Sequence, residues 1–208
     1  TWISIDVPLA SFTGLVTKAH LAQMIISGDP NTVYVDNVYF YNSGLPEAPE
    51  VPAPTPTESN VISLYSDAYT DHPVLTWSAP WDVADVEDFV IGTDSTKKYT
   101  NVVYAGIDFT SPPIDATTMT HFHMDVWTPL PTDAPAVFKV KLVDGGPDGV
   151  IGTGGDDVEV ELSFDETTMN TGTWVSIDIP LSDFTGLSTG ALGQMVLSGD
   201  LSTFFVDN

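Results

Sequence analysis

Residues 138–164 read FKVKLVDGGPDGVIGTGGDDVEVELSF, and this stretch decides the fold. Both of its ends alternate apolar and polar residues with a period of two, which is the pattern of a half-buried β-strand. In FKVKLVD (138–144) the side chains of Phe138, Val140 and Leu142 share one face, and those of Lys139 and Lys141 share the other. VEVELSF (158–164) alternates in the same way, so the glycine- and aspartate-rich residues between the two strands predict a hairpin loop.

The same alternation recurs along much of the chain. In HFHMDVW (121–127) the apolar side chains are predicted to point inward, and those of His121, His123, Asp125 and Trp127 outward. Further strands are predicted in WVSIDIPL (174–181), QMVLSGD (194–200), STFFVDN (202–208), VISLYSD (61–67) and KKYTNVVYAGIDF (97–109). About eight or nine strands separated by Gly, Pro and Asp indicate an all-β sandwich. An open single sheet is the alternative, but it would leave an apolar face uncovered.

The charge of the chain excludes several classes of partner. It has 208 residues, with 29 Asp and Glu, five Lys, no Arg and a formal net charge of −24. So acidic a chain repels nucleic acids and anionic membrane surfaces. No apolar run approaches the roughly 18 residues of a membrane span. The absence of cysteine excludes disulfides, thiolate catalysis and cysteine-based zinc sites. This composition suits a secreted or cell-surface protein in salty or calcium-rich water.

Two stretches of the chain are copies of one another. TWISIDVPLASFTGLVTKAHLAQMIISGDPNTVYVDN at the start matches TWVSIDIPLSDFTGLSTGALGQMVLSGDLSTFFVDN from Thr173 onward. With one deletion near His20, 23 of 36 paired residues are identical, and Asp36 aligns with Asp207. The sequence therefore predicts a tandem repeat with a period of about 171 residues.

The repeat divides the chain into three parts. Residues 1–42 are predicted to be the C-terminal part of one repeat, and residues 61–208 most of the next. Between them, SGLPEAPEVPAPTPTESN (43–60) contains five prolines and predicts a semi-rigid linker. The first copy continues into VYFYN (38–42), whose counterpart is absent from residues 61–208. We therefore expect this strand to complete a repeat by strand addition, preferably in a neighbouring copy of the chain.

Several segments resemble one known family. VISLYSDAYTD, TWSAPWDVADV, TKKYTNVVYAGIDF, IDATTMTHFHMDVWTP, FKVKLVDGGPDG and MIISGDPNTVYVDNVYFYN resemble a β-jelly-roll module of secreted marine Bacteroidota proteins. That module is often appended to laminarinase-like glycoside hydrolases. The resemblance covers the chain except the linker. It implies a carbohydrate-binding-type module of galactose-binding-like architecture and an extracellular location, but it carries no glycan specificity.

Calcium is the cofactor that the acidic residues favour. Asp144, Asp148, Asp156 and Asp157 lie in one loop whose glycines permit tight turns. Clustered carboxylates repel one another unless a hard cation neutralises them, and Ca²⁺ binds six to eight oxygens in flexible geometry. A solvated acidic turn is the alternative. The resemblance implies a second calcium site that joins Asp207, or Asp36 in the first copy, to the region of Asp67; the alternative is that these aspartates only cap a turn.

The basic residues on strands allow two interpretations. Lys139 and Lys141 either pair across the hairpin with Glu161 and Glu159, or contribute to a polar face for sugar hydroxyls. His121 and His123 lie two residues apart on one strand face, a spacing that could hold Zn²⁺ or Cu²⁺. Two histidines with no third nearby are more often a polar sheet face, and we assign them to the sugar-binding face.

Tryptophans provide candidate platforms for sugar rings, because one face of a pyranose presents only C–H groups. Trp77 and Trp81 flank a short loop rich in Pro and Ala, and Trp127 ends the strand that carries the histidines. These three are predicted to contact ligand. Trp2 and Trp174 stand at a strand start and are expected to pack in the core or at an edge.

Taken together, these residues predict non-catalytic binding of an extracellular polysaccharide, a β-glucan or another marine glycan. Paired carboxylates are not diagnostic of a glycosidase in a chain with 29 acids. The sequence contains no nucleophile elbow and no HExxH helix. We therefore expect no enzymatic activity. The alternative is a structural repeat of a cell-surface adhesin or extracellular fibre, whose modules join by strand addition.

Overall fold

The computed structural model describes residues 2–7, 9–12, 14–15, 20–29, 31–41 and 47–208. The chain forms two compact units, Thr1–Leu45 and Pro46–Asn208. Asn42, at the end of the predicted strand VYFYN, and residues 43–46 of the predicted linker lie outside the described residues. None of the helices in the described ranges is long and apolar enough to cross a bilayer.

The first unit carries one 3₁₀ turn, Leu9–Ser11, and no strand among its described residues. Its apolar side chains are largely exposed, including those of Trp2, Ile5, Met24 and Ile26. The aligned residues of the second copy, Ile177, Met195 and Leu197, are buried in a sheet. The similar sequence of the second unit thus forms strands, whereas the described residues of the first unit form none.

The second unit is an all-β module of eight strands. They are β1 (Val83–Ile91), β2 (Asp94–Asp108), β3 (His121–Trp127), β4 (Phe138–Asp144), β5 (Val158–Phe164), β6 (Val175–Pro180), β7 (Leu192–Gly199) and β8 (Phe204–Asp207). Their order is β5-β4-β7-β2-β8-β3-β6, with β1 paired to β2. Every pairing is antiparallel. The predicted all-β sandwich is confirmed.

The long strand β2 folds the sheet into two layers. Its first half pairs with β8 over Lys97–Tyr99, and its second half pairs with β7 over Tyr104–Asp108. Between the two halves Asn101 has a φ of +54°, a left-handed conformation that bends the strand. The layer β8-β3-β6 therefore faces the layer β5-β4-β7 across one core.

Apolar side chains from both layers fill the space between them. Tyr99 stacks on Phe204 with ring centroids 5.2 Å apart, and Phe138 meets Phe204 edge to face at 5.1 Å. Val126 and Val140 are fully buried in the same cluster. The alternating strands bury one face here, as the sequence predicts, and leave the other face of each layer for solvent or for covering segments.

The predicted linker is not a free spacer between residues 47 and 60. Val51 is buried with Ile91, Trp127 and Phe205 on the outer face of the layer β8-β3-β6. Trp174 donates its indole N–H to the carbonyl of Pro49 at 2.8 Å, and Asn208 donates to the carbonyl of Pro52 at 3.1 Å. We call residues 47–52 the strap. The prolines keep it extended, so its carbonyls remain available as acceptors.

Two strand predictions need correction. VISLYSD (61–67) forms no strand, because Ser63 and Ser66 both bond the carboxylate of Asp71 and the segment curls around it. Strand β1 was not predicted, because the acidic residues Glu87 and Asp88 interrupt its alternation. Those acids face Lys98 and Lys97 of β2, to which they are ion-paired.

Candidate functional site

The outer face of the layer β5-β4-β7, continued by the second half of β2, carries the candidate site. The register aligns Lys139, Ser198 and Tyr104 in one row across β4, β7 and β2. The next row contains Lys141, Val196 and Gly106, and the third contains Val143, Gln194 and Asp108. We call these three rows the outer face. Neighbouring strands are about 4.8 Å apart, so Lys141 and Gly106 are separated by roughly 10 Å.

Trp81 lies on this outer face and leaves nearly half of its surface open. Its side chain is 47% exposed and stacks on Tyr104, with ring centroids 6.1 Å apart and planes 18° from parallel. The ring lies directly over Gly106, where an added Cβ would come within 2.6 Å of Trp81 Cζ2. Glycine at this position therefore lets the indole lie flat against the backbone of β2.

The loop that carries Trp81 is anchored to β2. Asp82 accepts a 2.9 Å bond from the Gly106 N–H and a 3.0 Å bond from Ser78 Oγ. The Ala79 N–H donates to the Gly106 carbonyl at 2.9 Å. The Tyr104 hydroxyl donates to the Trp81 carbonyl at 3.2 Å. These bonds fix the position of the indole before any ligand arrives, which lowers the entropy lost on binding.

A cleft of about 490 Å³ opens beside Trp81. It is lined by Trp81, Asp108, Thr110, Gln194 and the turn of residues 149–152. Asp108 Oδ1 accepts bonds from the N–H and the hydroxyl of Thr110, at 3.0 and 2.8 Å. Within the described part of the chain, Asp108 Oδ2 and the Gln194 side-chain amide have no hydrogen-bond partner. The cleft thus combines an aromatic wall with unused polar groups.

The two lysines of the outer face are ion-paired within the hairpin β4-β5. Lys139 bonds Glu161 at 3.0 Å, and Lys141 bonds Glu159 at 3.2 Å. The predicted pairing is confirmed. Each bond is diagonal, because the residue directly opposite Lys141 is Glu161. Both lysines remain on the face that carries Trp81 and Tyr104, so their amines also border any ligand that extends along the sheet.

His121 and His123 lie on the other layer, and the structure does not bring them to Trp81. His121 is exposed and shares a 2.8 Å bond with the hydroxyl of Thr120. His123 lies 3.6 Å from Asp125 and 3.8 Å from Asp178. The Asp125 carboxylate raises the pKa of His123 against the opposing effect of partial burial. The residues predicted to form a single sugar-binding face therefore lie on two faces, one on each layer.

Two of the three predicted tryptophan platforms are covered. Trp127 is only 2% exposed, because it packs edge to face on Phe205 beneath Val51 of the strap. Trp77 packs against the core and meets Tyr65 edge to face at 5.5 Å. The amine of Lys97 lies 5.2 Å from its ring centroid. Trp127 is thus closed to a sugar and Trp77 is partly buried, which leaves Trp81 as the predicted platform that is exposed.

The acidic loop divides into one structural aspartate and three that remain candidates for a cation. Asp144 is buried and accepts bonds from Gly146 N, Ser188 Oγ and Ala191 N at 2.7–2.9 Å. These bonds occupy its carboxylate, so Asp144 closes the hairpin. Asp156 Oδ1 and Asp157 Oδ1 are buried with no partner among the described residues. Asp148 and Asp156 both approach the same side of Gly154.

Asp207, at the end of β8 and opposite Asp125 of β3, occupies a second acidic position. It is 3% exposed, and its Oδ2 has no hydrogen-bond partner in the described part of the chain. Burial, together with the charges of Asp94, Asp67 and Asp125, raises the pKa of Asp207 to about 7. The Asp67 carboxylate accepts the Ser95 N–H at 2.9 Å and lies close to Asp94, whose pKa is raised by burial and by this neighbouring carboxyl group. Asp36, the counterpart in the first unit, is exposed.

Asp125 and Asn208 complete this acidic position. Asn208 donates to Asp125 Oδ2 at 3.1 Å and accepts from Ser66 Oγ at 2.8 Å. Burial opposes the charge of Asp125, but bonds with His123, Ser176 and Asn208 hold its pKa below the usual value. Among the described residues, no group of three or more His, Asp or Glu side chains is arranged to hold a metal ion as it stands.

Sequence reasoning missed Tyr104, Gln194 and Asp108. Tyr104 and Asp108 lie on the predicted strand KKYTNVVYAGIDF, and their shared face with Gly106 follows from the period of two. The alternation of this strand therefore predicts that Tyr104 and Asp108 share a face. The contribution of Gln194 depends on β7 lying between β4 and β2, a neighbour relation that no local pattern reveals.

No family model and no curated protein matches the chain. Among solved structures it is similar to a family 30 carbohydrate-binding module, with a TM-score of 0.46 and 12% identity over 64% of this chain and 91% of that one. For the family 11 module of a cellulosomal cellulase from Clostridium thermocellum the TM-score is 0.46 and the identity 17%, over 65% and 86%. For a module specific for non-crystalline cellulose the values are 0.42 and 15%, over 64% and 85%. Likeness at this level says nothing of what this chain binds.

Proposed function

We propose that the unit Pro46–Asn208 binds a neutral extracellular polysaccharide without catalysis, on the outer face around Trp81. The observation that carries the proposal is the half-exposed indole, stacked on Tyr104 and held over Gly106 at the mouth of a polar cleft. A pyranose ring stacks on such an indole through its C–H face. The carboxylate of Asp108 and the amide of Gln194 line the same cleft, and we expect them to bond the hydroxyl groups of the sugar.

The charge of the outer face favours a neutral glycan. Lys139 and Lys141 are each paired with a glutamate, so they present no net positive charge to a ligand. The cleft itself contains Asp108, and the whole chain carries a net charge of −24. A sulfated or uronic-acid polymer would therefore be repelled. A β-glucan or another neutral marine glycan fits these groups, and a polymer could run along the rows from Trp81 toward Lys139.

Binding affinity for soluble β-glucan tests the proposal. We expect the chain to bind a mixed-linkage or β-1,3-glucan in isothermal titration calorimetry and to ignore alginate and carrageenan. Trp81→Ala should weaken binding by roughly 1–3 kcal/mol, by analogy with the range for nucleobases that stack on aromatic side chains. That corresponds to a loss of about five- to 150-fold in affinity.

A matched control is available in the first unit. Trp2 is 72% exposed, more than Trp81, and lies outside the module. Trp2→Ala should leave the affinity unchanged. Equal losses in the two variants, or full affinity in Trp81→Ala, would place the glycan site elsewhere.

We also propose that calcium stabilises the module at one or both acidic positions. The buried Asp207 Oδ2, and likewise Asp156 Oδ1 and Asp157 Oδ1, lack a partner that a cation would supply. Ca²⁺ accepts carboxylate and carbonyl oxygens in flexible geometry, so modest movements of Asp67 and Asp94 toward Asp207 would complete a ligand set. Calcium here would neutralise repelling carboxylates and hold the strap and the loop of residues 144–157 in place.

Thermal melting separates the two candidate calcium positions. Millimolar calcium should raise the midpoint relative to EDTA, because a ligand that binds only the native state stabilises it by about 2.7 kcal/mol at a hundred times Kd. Asp207→Asn should remove the part of this increase in the midpoint that is due to calcium beside Asp207. Asp156→Asn should remove the part that is due to calcium in the loop of residues 144–157. An identical midpoint in calcium and in EDTA would remove this part of the proposal.

A further inference from the structure

The strap packs against a cluster of aromatic side chains on the layer β8-β3-β6. Phe205 meets Phe89 edge to face at 5.3 Å and Trp127 edge to face at 5.2 Å. Val51 of the strap is buried against this cluster, and Ala48 packs on it less completely. The surface that these contacts define, here called the strap site, consists of Phe89, Ile91, Trp127, Trp174 and Phe205.

The sequence around the strap repeats every three residues. Residues 45–53 read LPE, APE and VPA, so an aliphatic residue followed by proline occurs in three successive triplets. A polyproline II helix has three residues per turn, so positions three apart lie on the same side of it. A β-strand would require a repeat of two instead. The triplets therefore predict an extended helix with one aliphatic side.

The burial of this segment follows the same period of three. Val51 is buried, and Ala48 and Pro54, three residues to either side of it, are half-buried. Glu50 and Ala53, which lie between these positions, are exposed. The segment therefore turns its aliphatic side toward the module and its remaining side toward solvent, as a polyproline II helix with this sequence would.

Two hydrogen bonds hold the backbone of the strap at the same spacing. Trp174 donates its indole N–H to the carbonyl of Pro49 at 2.8 Å, and Asn208 donates its side-chain amide to the carbonyl of Pro52 at 3.1 Å. A polyproline II helix makes no hydrogen bonds of its own, so its carbonyls remain open to such donors. Side chains and carbonyls are thus both bound at intervals of three residues. Aromatic-lined grooves recognise proline-rich peptides in this way.

We propose that the strap site recognises extended segments of the pattern aliphatic-Pro-x-aliphatic-Pro, and that it binds the strap of a second copy of this chain in place of its own. The contacts between strap and strap site are the same within one chain and between two, so exchange loses none of them. Each copy carries one strap and one strap site, and a reciprocal exchange therefore closes a dimer.

Concentration decides between the two arrangements. The chain's own strap is favoured by its effective concentration at the strap site, which is on the order of millimolar for a short flexible connection. Copies that are held side by side on one polysaccharide meet at comparable concentrations, and exchange would then link them. This consequence rests on the proposed function, whereas recognition of the strap does not.

A fluorescein-labelled peptide of residues 47–54 tests recognition on the 208-residue chain. Val51→Asp places a charge against the apolar strap site, so the chain's own strap leaves while the residues of the site are unchanged. Fluorescence anisotropy should show that the peptide binds this variant roughly tenfold more tightly than the wild type, whose own strap competes. Val51→Ser, which introduces no charge, replaces Val51→Asp if that variant does not fold.

The spacing of the aliphatic residues has its own control. A peptide with Glu50 and Val51 exchanged has the same composition, but its aliphatic residues are two apart instead of three. It should bind the Val51→Asp chain roughly tenfold more weakly than the original peptide, because one aliphatic side chain then points away from the site. Adding Trp174→Phe to the Val51→Asp chain keeps a ring and removes the N–H donor. This change should weaken binding of the original peptide about two- to tenfold.

Sedimentation velocity tests the exchange between copies. The Val51→Asp chain has an intact strap site without a strap that fits it, and the Trp174→Ala chain has an intact strap and an impaired strap site. Only the mixture of the two combines an intact strap with an intact site. The mixture should therefore contain a dimer that neither variant forms alone at the same concentration, and excess unlabelled peptide should dissociate it.

Two results would overturn the proposal. One is equal affinity of the two peptides for the Val51→Asp chain, or no binding of either, which would show that the strap site does not recognise the pattern. The other is a mixture that sediments as its separate monomers, which would exclude exchange between copies. No glycan is present in these experiments, so neither result bears on the glycan site around Trp81.

Discussion

At the scale of single residues, Gly106 determines whether the candidate platform exists. A side chain on the outward position of β2 normally stands above the sheet, as Tyr104 and Asp108 do on either side. Because Gly106 has no side chain, the indole of Trp81 occupies that place and lies against the backbone. The glycine therefore acts on ligand binding through the position of Trp81.

Gly106→Ala is expected to weaken β-glucan binding about as much as Trp81→Ala does. The new methyl group would overlap the indole and lie 3.0 Å from Ala79 Cβ, so the ring has to swing away from Tyr104. Isothermal titration calorimetry measures the effect. Gly190→Ala is the control, since a methyl group there meets open space, and it should bind normally. Retention of full affinity by Gly106→Ala would show that the stacked position of Trp81 is not used.

Asp207 gives the module an unusual pH dependence when calcium is absent. Its pKa is about 7 in the folded chain against an ordinary value of 3.8. The folded state thus binds this proton more tightly than the unfolded state, so the contribution of Asp207 is most favourable below about pH 4 and is lost as pH rises to 7. The difference corresponds to on the order of 4 kcal/mol.

In EDTA, the free energy of unfolding from urea titrations should fall between pH 5 and pH 8 more steeply for the wild type than for Asp207→Asn. The asparagine variant keeps the acceptor for the Asn208 N–H and removes the charge. Saturating calcium should flatten the wild-type profile, because the cation neutralises the carboxylate. Parallel profiles for wild type and Asp207→Asn in EDTA would contradict this description of Asp207.

At the scale of elements, the sequence predicted the strands that alternate cleanly. The bounds of β3, β4 and β5 agree with the predicted segments, because each turns its alternate apolar residues toward the core, although Asp125 and Trp127 of β3 and Val143 of β4 are buried as well. Strand β1 could not be recognised from its own residues, since Glu87 and Asp88 are accommodated by lysines of β2. Patterns within a segment predict its period. They do not reveal which charged residues on an adjacent strand pair with the acidic residues of a segment that does not alternate.

The strap, too, could not be recognised from the sequence as a segment that covers the sheet. Proline-rich residues 47–52 read as a spacer, yet their carbonyls and Val51 complete the outer face of β8-β3-β6. The burial of Trp127 follows from this cover, which is why its outward position on the strand did not predict exposure. Only the three-dimensional arrangement shows that the strap reaches Trp174 and Asn208.

Val51→Ala should destabilise the module by about 1–2 kcal/mol, because it removes two methyl groups from the cluster with Ile91, Trp127 and Phe205. Urea denaturation measures the change. Val90→Ala on β1 is the matched control, since Val90 is exposed and its truncation should cost less than about 0.5 kcal/mol. If the two variants unfold at the same urea concentration, the strap contributes nothing to stability.

At the scale of the whole module, the site results from the bend in β2. This strand brings Tyr104, Gly106 and Asp108 beside β7 while its first half holds the other layer. The sequence predicted Trp81, Lys139 and Lys141 as site residues, and the fold brings these three to one face. It assigned His121 and His123 to the same face, although they lie on the opposite layer, because alternation shows which side of a strand is outward but not which layer the strand joins.

The most direct test of glycan binding on the outer face is a nuclear magnetic resonance titration of the ¹⁵N-labelled chain with a soluble β-glucan oligosaccharide. Binding should shift the Trp81 indole N–H, the Gln194 side-chain amide and the backbone amides of Tyr104 and Asp108. The amides of His121 and His123 should stay in place, as should the indole N–H of Trp2. Shifts centred on His121 and His123, or no shifts at saturating oligosaccharide, would contradict the assignment of the site to the face around Trp81.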